Sequence, residues 1–147
     1  MSIHRRVVLK SAGAGLALPA WFTAGDNVWG QQSGGKKAYA MHIGLNQVDT
    51  SKYGPITPLT GCEQDARTYQ AIANSKGFQK VKLLTGSQGG RKNVLRHIYW
   101  AAQDLRQGDF LLVTYAGHGG QLPDQNGDEN DDRTDETWCL YDGQLRD

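Results

Sequence analysis

The chain has 147 residues, enough for one small domain and too few for two. Its formal net charge of +1 gives no case for a nucleic-acid or charged-membrane partner, and an apolar fraction of 38% with 19 glycines describes a turn-rich protein with a modest core. Two cysteines, far apart and in no Cys-x-x-Cys pattern, make neither a disulfide framework nor a zinc site.

The even charge balance conceals two biased regions. Near the start, Arg5–Arg6–Val7–Val8–Leu9–Lys10 precedes a run of Ser, Ala, Gly and Leu that ends at Pro19–Ala20. Paired arginines, one residue, two apolar residues and a lysine before such a run read as a twin-arginine-type export signal over residues 1–24, which predicts a periplasmic or extracellular protein. The run is too short, and too rich in Gly and Ala, for a stable membrane span. No clean Ala-x-Ala site marks a cleavage point, and a frayed basic terminus is the plainer alternative. Residues 25–36, polar and rich in Gly and Gln, read as a linker, which leaves 37–147 for the folded domain.

Lys37 to Leu45 is the first expected strand, its alternation imperfect, with His42 facing a polar edge. The loop from Asn46 to Pro58 contains Gly54, Pro55 and Pro58 and is expected to be irregular. Thr60 then opens a helix, with Glu63 completing a capping box and Gly77 closing it. Cys62, Ala66, Tyr69, Ile72 and Ala73 share its apolar face, and Asp65 falls inside the same stripe. A buried, unpaired carboxylate is costly, so Asp65 either has a partner or lines a cavity, or it merely benefits from the dipole at the helix start. Spacing does not decide between these.

A second strand spans Lys80 to Thr85, and a second helix runs from Arg91 to Gln107 with Val94, Ile98, Ala101, Ala102 and Leu105 as its packed stripe. His97 and Trp100 lie off that stripe, in a solvated or edge position. Asp109 to Gly120 follows, an apolar run that reads as a strand buried on both faces. It delivers His118 between Gly117, Gly119 and Gly120, where missing side chains would let another backbone or a substrate approach. The ends of such strands in open α/β sheets are where ligands gather; a capped loop residue is the plain alternative. The order strand, helix, strand, helix, strand predicts an α/β fold with a parallel sheet and right-handed crossovers. Thr137 to Tyr141 is a last short strand, with a turn at Asp142–Gly143.

Seven acids crowd the span from Asp124 to Glu136. Asp124, Asn126, Asp128, Asp132 and Asp135 match positions one, three, five, nine and twelve of a calcium-loop template, but Glu129 occupies the position of the required glycine and the flanks are not helical. An EF-hand is therefore not expected. Hard oxygen ligands at this density suit Ca²⁺, and a solvated acidic loop is the alternative.

Three segments carry a family resemblance: Tyr115–Ala116–Gly117–His118–Gly119–Gly120; Leu59–Thr60–Gly61–Cys62–Glu63–Gln64–Asp65–Ala66; and Gly127–Asp128–Glu129 leading to Asp135–Glu136–Thr137. Together they resemble the caspase-like cysteine peptidases of the C14 family, bacterial and metacaspase-type members above all, although Ser is more usual at Ala116 and Asn at Gln64. The resemblance runs from Lys37 to the C-terminus. It implies a caspase-like three-layer sandwich, a mostly parallel sheet flanked by helices, truncated before the last strands. It also implies a cysteine-type endopeptidase acting on peptide or protein substrates after Arg or Lys. In that reading His118 is the catalytic histidine, the Gly119 N–H is an oxyanion donor, and Asp65 lines the pocket for the basic side chain. Ca²⁺ would be held by Asp128, Asp131 and Asp132. The nucleophilic cysteine of caspases lies about fifty residues beyond the histidine, past Asp147, so Cys62 and Cys139 are poor candidates and the chain alone is expected to be inactive. The alternative is a non-catalytic caspase-like domain that binds Ca²⁺ or a peptide.

Overall fold

The computed structural model describes residues 35–124, 127 and 134–146, together with the backbone course of 3–11. In chain order the elements are β1 (Ile3–Ser11), β2 (Ala38–Gly44), α1 (Thr50–Tyr53), α2 (Cys62–Ser75), β3 (Lys80–Thr85), a 3-10 turn (Gly86–Gly89), α3 (Arg91–Asp104), β4 (Phe110–Pro123), β5 (Thr134–Leu140) and β6 (Gly143–Arg146).

The sheet has the order β3-β2-β4-β5-β6, with β1 also paired to β4. Its core is parallel: β2 pairs with β3 on one side and with β4 on the other, Ala38 opposite Phe110 through Gly44 opposite Ala116. Beyond that the expected parallel sheet gains an antiparallel arm, because β4 continues to Pro123 and turns back into β5 and then β6. Only a crossover can return a strand in parallel, whereas the short connection after β5 permits nothing but a hairpin. β1 lies antiparallel along β4, with Ile3 opposite His118 and Ser11 opposite Phe110. The twin-arginine segment, expected only as an address, is thus extended and ladder-bonded here.

Two apolar cores lie on the two faces of the sheet. Met41, Ile43, Leu45, Leu84, Tyr115, Trp138 and Leu140 pack with Val94 of α3, while Ala38, Ala40 and Phe78 pack with Ala73 of α2. All seven residues of β2 are buried, which explains its imperfect alternation: a strand covered on both faces has no polar side. Each fully buried aliphatic side chain, such as Ile43 or Leu84, contributes about 1.5–3 kcal/mol relative to exposure.

His42 is the chief correction to the expected pattern. It faces no polar edge but is fully buried, with Nδ1 2.8 Å from Thr114 Oγ1 and its ring stacked on Tyr69. The α2 stripe is also narrower than expected. Cys62, Ala66 and Ala73 are buried, whereas Tyr69 and Ile72 are 39% and 48% exposed. The reason is the close approach of helix and strand at Gly44, where a Cβ would lie 2.7 Å from that of Ala66. Only small side chains fit under such a contact, and larger ones are pushed to its flanks.

The helix caps differ from the expected ones too. α2 starts at Cys62 with Gly61 as N-cap and no side-chain cap bond, so the Thr60–Glu63 capping box does not form; the amide of Glu63 donates to Asn46 Oδ1 instead. α3 ends at Asp104 rather than Gln107, and Ala102 is exposed. Its first turn is capped from afar, Asp142 Oδ1 accepting from the Arg91 amide at 2.6 Å. At its other end Asp104 receives Lys37 Nζ at 2.5 Å, Lys80 Nζ at 2.7 Å and the Tyr39 hydroxyl, which hold its carboxyl well below the usual carboxylate range. Among the described residues no helix is long and apolar enough to cross a membrane.

Candidate active site

β4 changes partners in its middle. Up to Ala116 it pairs with β2, and from Gly119 it pairs with β5. His118 sits at this junction, 6% exposed, at the carboxyl end of the parallel core. Its Nε2 lies 3.1 Å from the carbonyl oxygen of Thr57. A carbonyl can only accept, so Nε2 is the donor, which leaves Nδ1 as the ring nitrogen able to act as a base.

Thr57 is brought there by the loop after β2. Leu45 N donates to Ala116 O at 2.9 Å, continuing the ladder one residue past the strand, and Leu59 N donates to Asn46 O at 2.8 Å. The loop, expected to be irregular throughout, contains the one-turn helix α1, capped by the Asp49 side chain on Ser51 N.

Gly117 and Gly120 make room for the protein's own side chains. A Cβ on Gly117 would overlap the Tyr115 hydroxyl, and one on Gly120 would lie 2.8 Å from Gln144 Nε2 and 3.0 Å from Cys139 Sγ. Tyr115 reaches across the space they leave, its hydroxyl 2.8 Å from the carbonyl oxygens of both His118 and Cys139, and its ring stacks on Trp138 with centroids 5.1 Å apart. Gly119 is buried opposite Trp138 in the β4–β5 ladder.

α2 begins over the same end of the sheet. Its first turn touches Gly44, whose β4 partner is Ala116, two residues before His118. Asp65, on that turn, is half-buried beside the packed stripe rather than within it. Sequence motif and structure therefore bring His118, Cys62 and Asp65 to one end of the sheet.

Both thiols are buried and free of disulfides. Cys139 is fully buried on β5, and burial pushes its thiol up, away from the thiolate form that a nucleophile requires. Cys62 is 5% exposed. Asp128, Asp131 and Asp132 lie outside the described residues. Of the described acids in that loop, Asp124 accepts from the Gly127 amide at 2.8 Å and Asp135 pairs with Arg146. A cleft of about 410 Å³, lined among others by Tyr39, Lys82, His97 and Trp100, opens on the α3 face, away from His118.

Sequence reasoning missed Thr57, Asn46 and Tyr115. Thr57 acts through its backbone, which leaves no mark in a sequence. Asn46, immediately after an apolar strand and before a helix, and Tyr115, two residues before a glycine, are the signals that could have been read.

The family described as "Metacaspase, peptidase C14 domain" matches residues 36–146. Among curated relatives, Metacaspase-1 of Coccidioides immitis is 34% identical over 104 residues, 65% of this chain and 21% of that protein. Metacaspase-1A of Aspergillus terreus is 35% identical over 104 residues, 65% of this chain and 25% of that protein. The crystal structure of protein GSU0716 from Geobacter sulfurreducens superimposes with a TM-score of 0.67 at 45% identity, covering 76% of this chain and 42% of that one. The chain thus spans about a quarter or less of these two curated relatives and under half of the solved structure. A match across almost the whole of the folded region, on a parallel core with helices on both faces, places this chain in the metacaspase (C14) family of cysteine peptidases.

Proposed function

We propose that this chain carries the histidine half of a cysteine endopeptidase that cleaves after Arg or Lys, completed by a cysteine beyond Asp147. The observation that carries the reading is the pose of His118: buried at the end of the parallel core, Nε2–H on the Thr57 carbonyl, Nδ1 left as base. In the reaction Nδ1 takes the thiol proton, the thiolate attacks the scissile carbonyl, and the same proton passes to the departing amine. The Gly119 N–H holds the developing oxyanion. Water then hydrolyses the thioester and the thiol is regenerated. Asp65 receives the basic side chain before the scissile bond; its half-buried place on the α2 turn that packs on Gly44 supports that role.

The state of the chain's own sulfur supports an external nucleophile, since burial holds Cys139 in the thiol form. We further propose that Asp128, Asp131 and Asp132 hold Ca²⁺, whose charge would relieve repulsion among the carboxylates of that loop, and that the Arg5–Arg6 segment directs export. No step of the reaction passes through the ion.

The test uses fluorogenic peptides ending in Arg, Lys or Asp. They are presented to this chain alone and to the chain continued through its downstream coding sequence to a cysteine. The expected result is no turnover by the first and Arg/Lys-selective turnover by the second. Asp65→Asn should lower kcat/KM for basic substrates by ~30-fold or more, as loss of a charge partner costs about 2–5 kcal/mol. Turnover of the Asp-terminated peptide at equal rate would overturn the assignment of Asp65.

A further inference from the structure

We propose that Tyr115 is the positioning residue for His118, a buried latch that sets the imidazole by holding its backbone; this rests on the catalytic reading of His118. The ladder along β4 changes partners beside His118. Residues 117 and 118 lie between the last β2 pairing at Ala116 and the first β5 pairing at Gly119, so of the three strands that pair with β4 only β1 is registered with this short span, His4 opposite Gly117 and Ile3 opposite His118. An imidazole carried where two of three partner strands leave the ladder gains from a further restraint, because a displacement of even ~1 Å at a reacting group is expensive.

Tyr115 supplies it. Its hydroxyl lies 2.8 Å from the His118 carbonyl oxygen and 2.8 Å from the Cys139 carbonyl oxygen, and so ties the histidine to β5 across the gap. The two carbonyls share its single proton. The side chain is 2% exposed, its ring is clamped in parallel against Trp138, and burial pushes its phenol up, so it remains a donor throughout the working pH range. Gly117 completes the device: any side chain there would occupy the place of the hydroxyl. Tyr115 acts from the α3 face of the sheet, while His118 Nε2 bonds to Thr57 in the loop leading to α2. It therefore touches neither substrate nor the reacting atoms. It acts through the backbone of the residue that does.

The experiment reads the imidazole directly and needs no turnover, so it can fail or succeed independently of the peptidase reading. In the unaltered chain, with ¹⁵N-labelled histidine and ring-¹³C-labelled tyrosine followed by NMR, the Tyr115 hydroxyl proton should be visible and slow to exchange. His118 should show a single Nε2–H tautomer. A rapidly exchanging hydroxyl would overturn the proposal without any variant. In Tyr115→Phe, with far-UV and near-UV circular dichroism verifying the fold, the single-tautomer pattern of His118 should be lost while that of His97, on α3, stays unchanged. Gly117→Ala should cause the same loss, and the double variant should be no worse than Gly117→Ala alone. An unchanged His118 pattern in folded Tyr115→Phe, or simply additive effects in the double variant, would overturn it.

Discussion

Protonating His42 should destabilise this domain, and the size of the effect can be worked out from its surroundings. The ring is fully buried between β4 and α2, with Thr114 on Nδ1 and Tyr69 stacked against it, and Nε2 has no hydrogen-bond partner among the described residues. Desolvation alone pushes its pKa down to about 4 from an ordinary 6.5. In the unfolded chain the imidazole takes up a proton as pH falls through 6.5, whereas in the fold it stays neutral until about 4. Unfolding therefore binds a proton within that window. The stabilisation is complete above pH 6.5, falls steadily below it and is gone below about 4, a total of about 3 kcal/mol. That is a large share of the 5–15 kcal/mol typical of a whole domain. Urea unfolding at half-unit steps from pH 7.5 to 4.0 reads the slope directly, and His42→Leu provides the control. Its absolute stability will differ because Thr114 loses a partner, but its slope between pH 6.5 and 4.5 should be flatter by the contribution of one proton. Equal slopes in the two proteins would refute the reasoning.

Gly44→Ala should destabilise the domain by about 1–3 kcal/mol, since its Cβ would meet the Glu63 Cα at 2.8 Å and the Ala66 Cβ at 2.7 Å on a helix that cannot yield locally; denaturant titration gives the value. Asp142→Ala removes the remote cap of α3 and should cost about 1 kcal/mol in the same assay, with the loss of amide-exchange protection concentrated in residues 91–94. Calcium at a hundredfold its Kd should stabilise the chain by about 2.7 kcal/mol, read as a rise in Tm. Changing Asp128, Asp131 and Asp132 together to Asn should abolish that rise, and no shift in the intact chain would remove calcium from the account.

The alternation of strands and helices, and the delivery of one histidine at a strand tip, were legible because apolar periodicity and glycine punctuation are local signals. What stayed hidden depends on partners distant in sequence. Tyr69 and Ile72 belong to an apolar stripe by spacing, yet the close approach at Gly44 pushes them outward. Thr60 and Glu63 form a valid capping pair on paper, but Asn46 reaches the Glu63 amide from the end of β2. His42 looked like an edge residue because a polar side chain within a strand usually is one, and only the placing of α2 over Thr114 and His42 buries it. Glycines beside a histidine signal open space without saying what fills it, and at Gly117 and Gly120 it is filled by Tyr115, Cys139 and Gln144. Asp65 was found by motif, and its flanking position could not be distinguished from a buried one until the width of the helix contact was known.

The central claim is that His118 is an imidazole base held ready for a thiol that this chain does not itself supply. The most direct test is to measure hydrolysis of Arg- and Lys-terminated peptides by this chain alone, and by the chain continued to its downstream cysteine, each with and without His118→Ala. The account predicts turnover only in the continued polypeptide, and its loss on substitution of His118. Turnover by the 147-residue chain that disappears with His118→Ala would contradict it, because the nucleophile would then lie within the sequence.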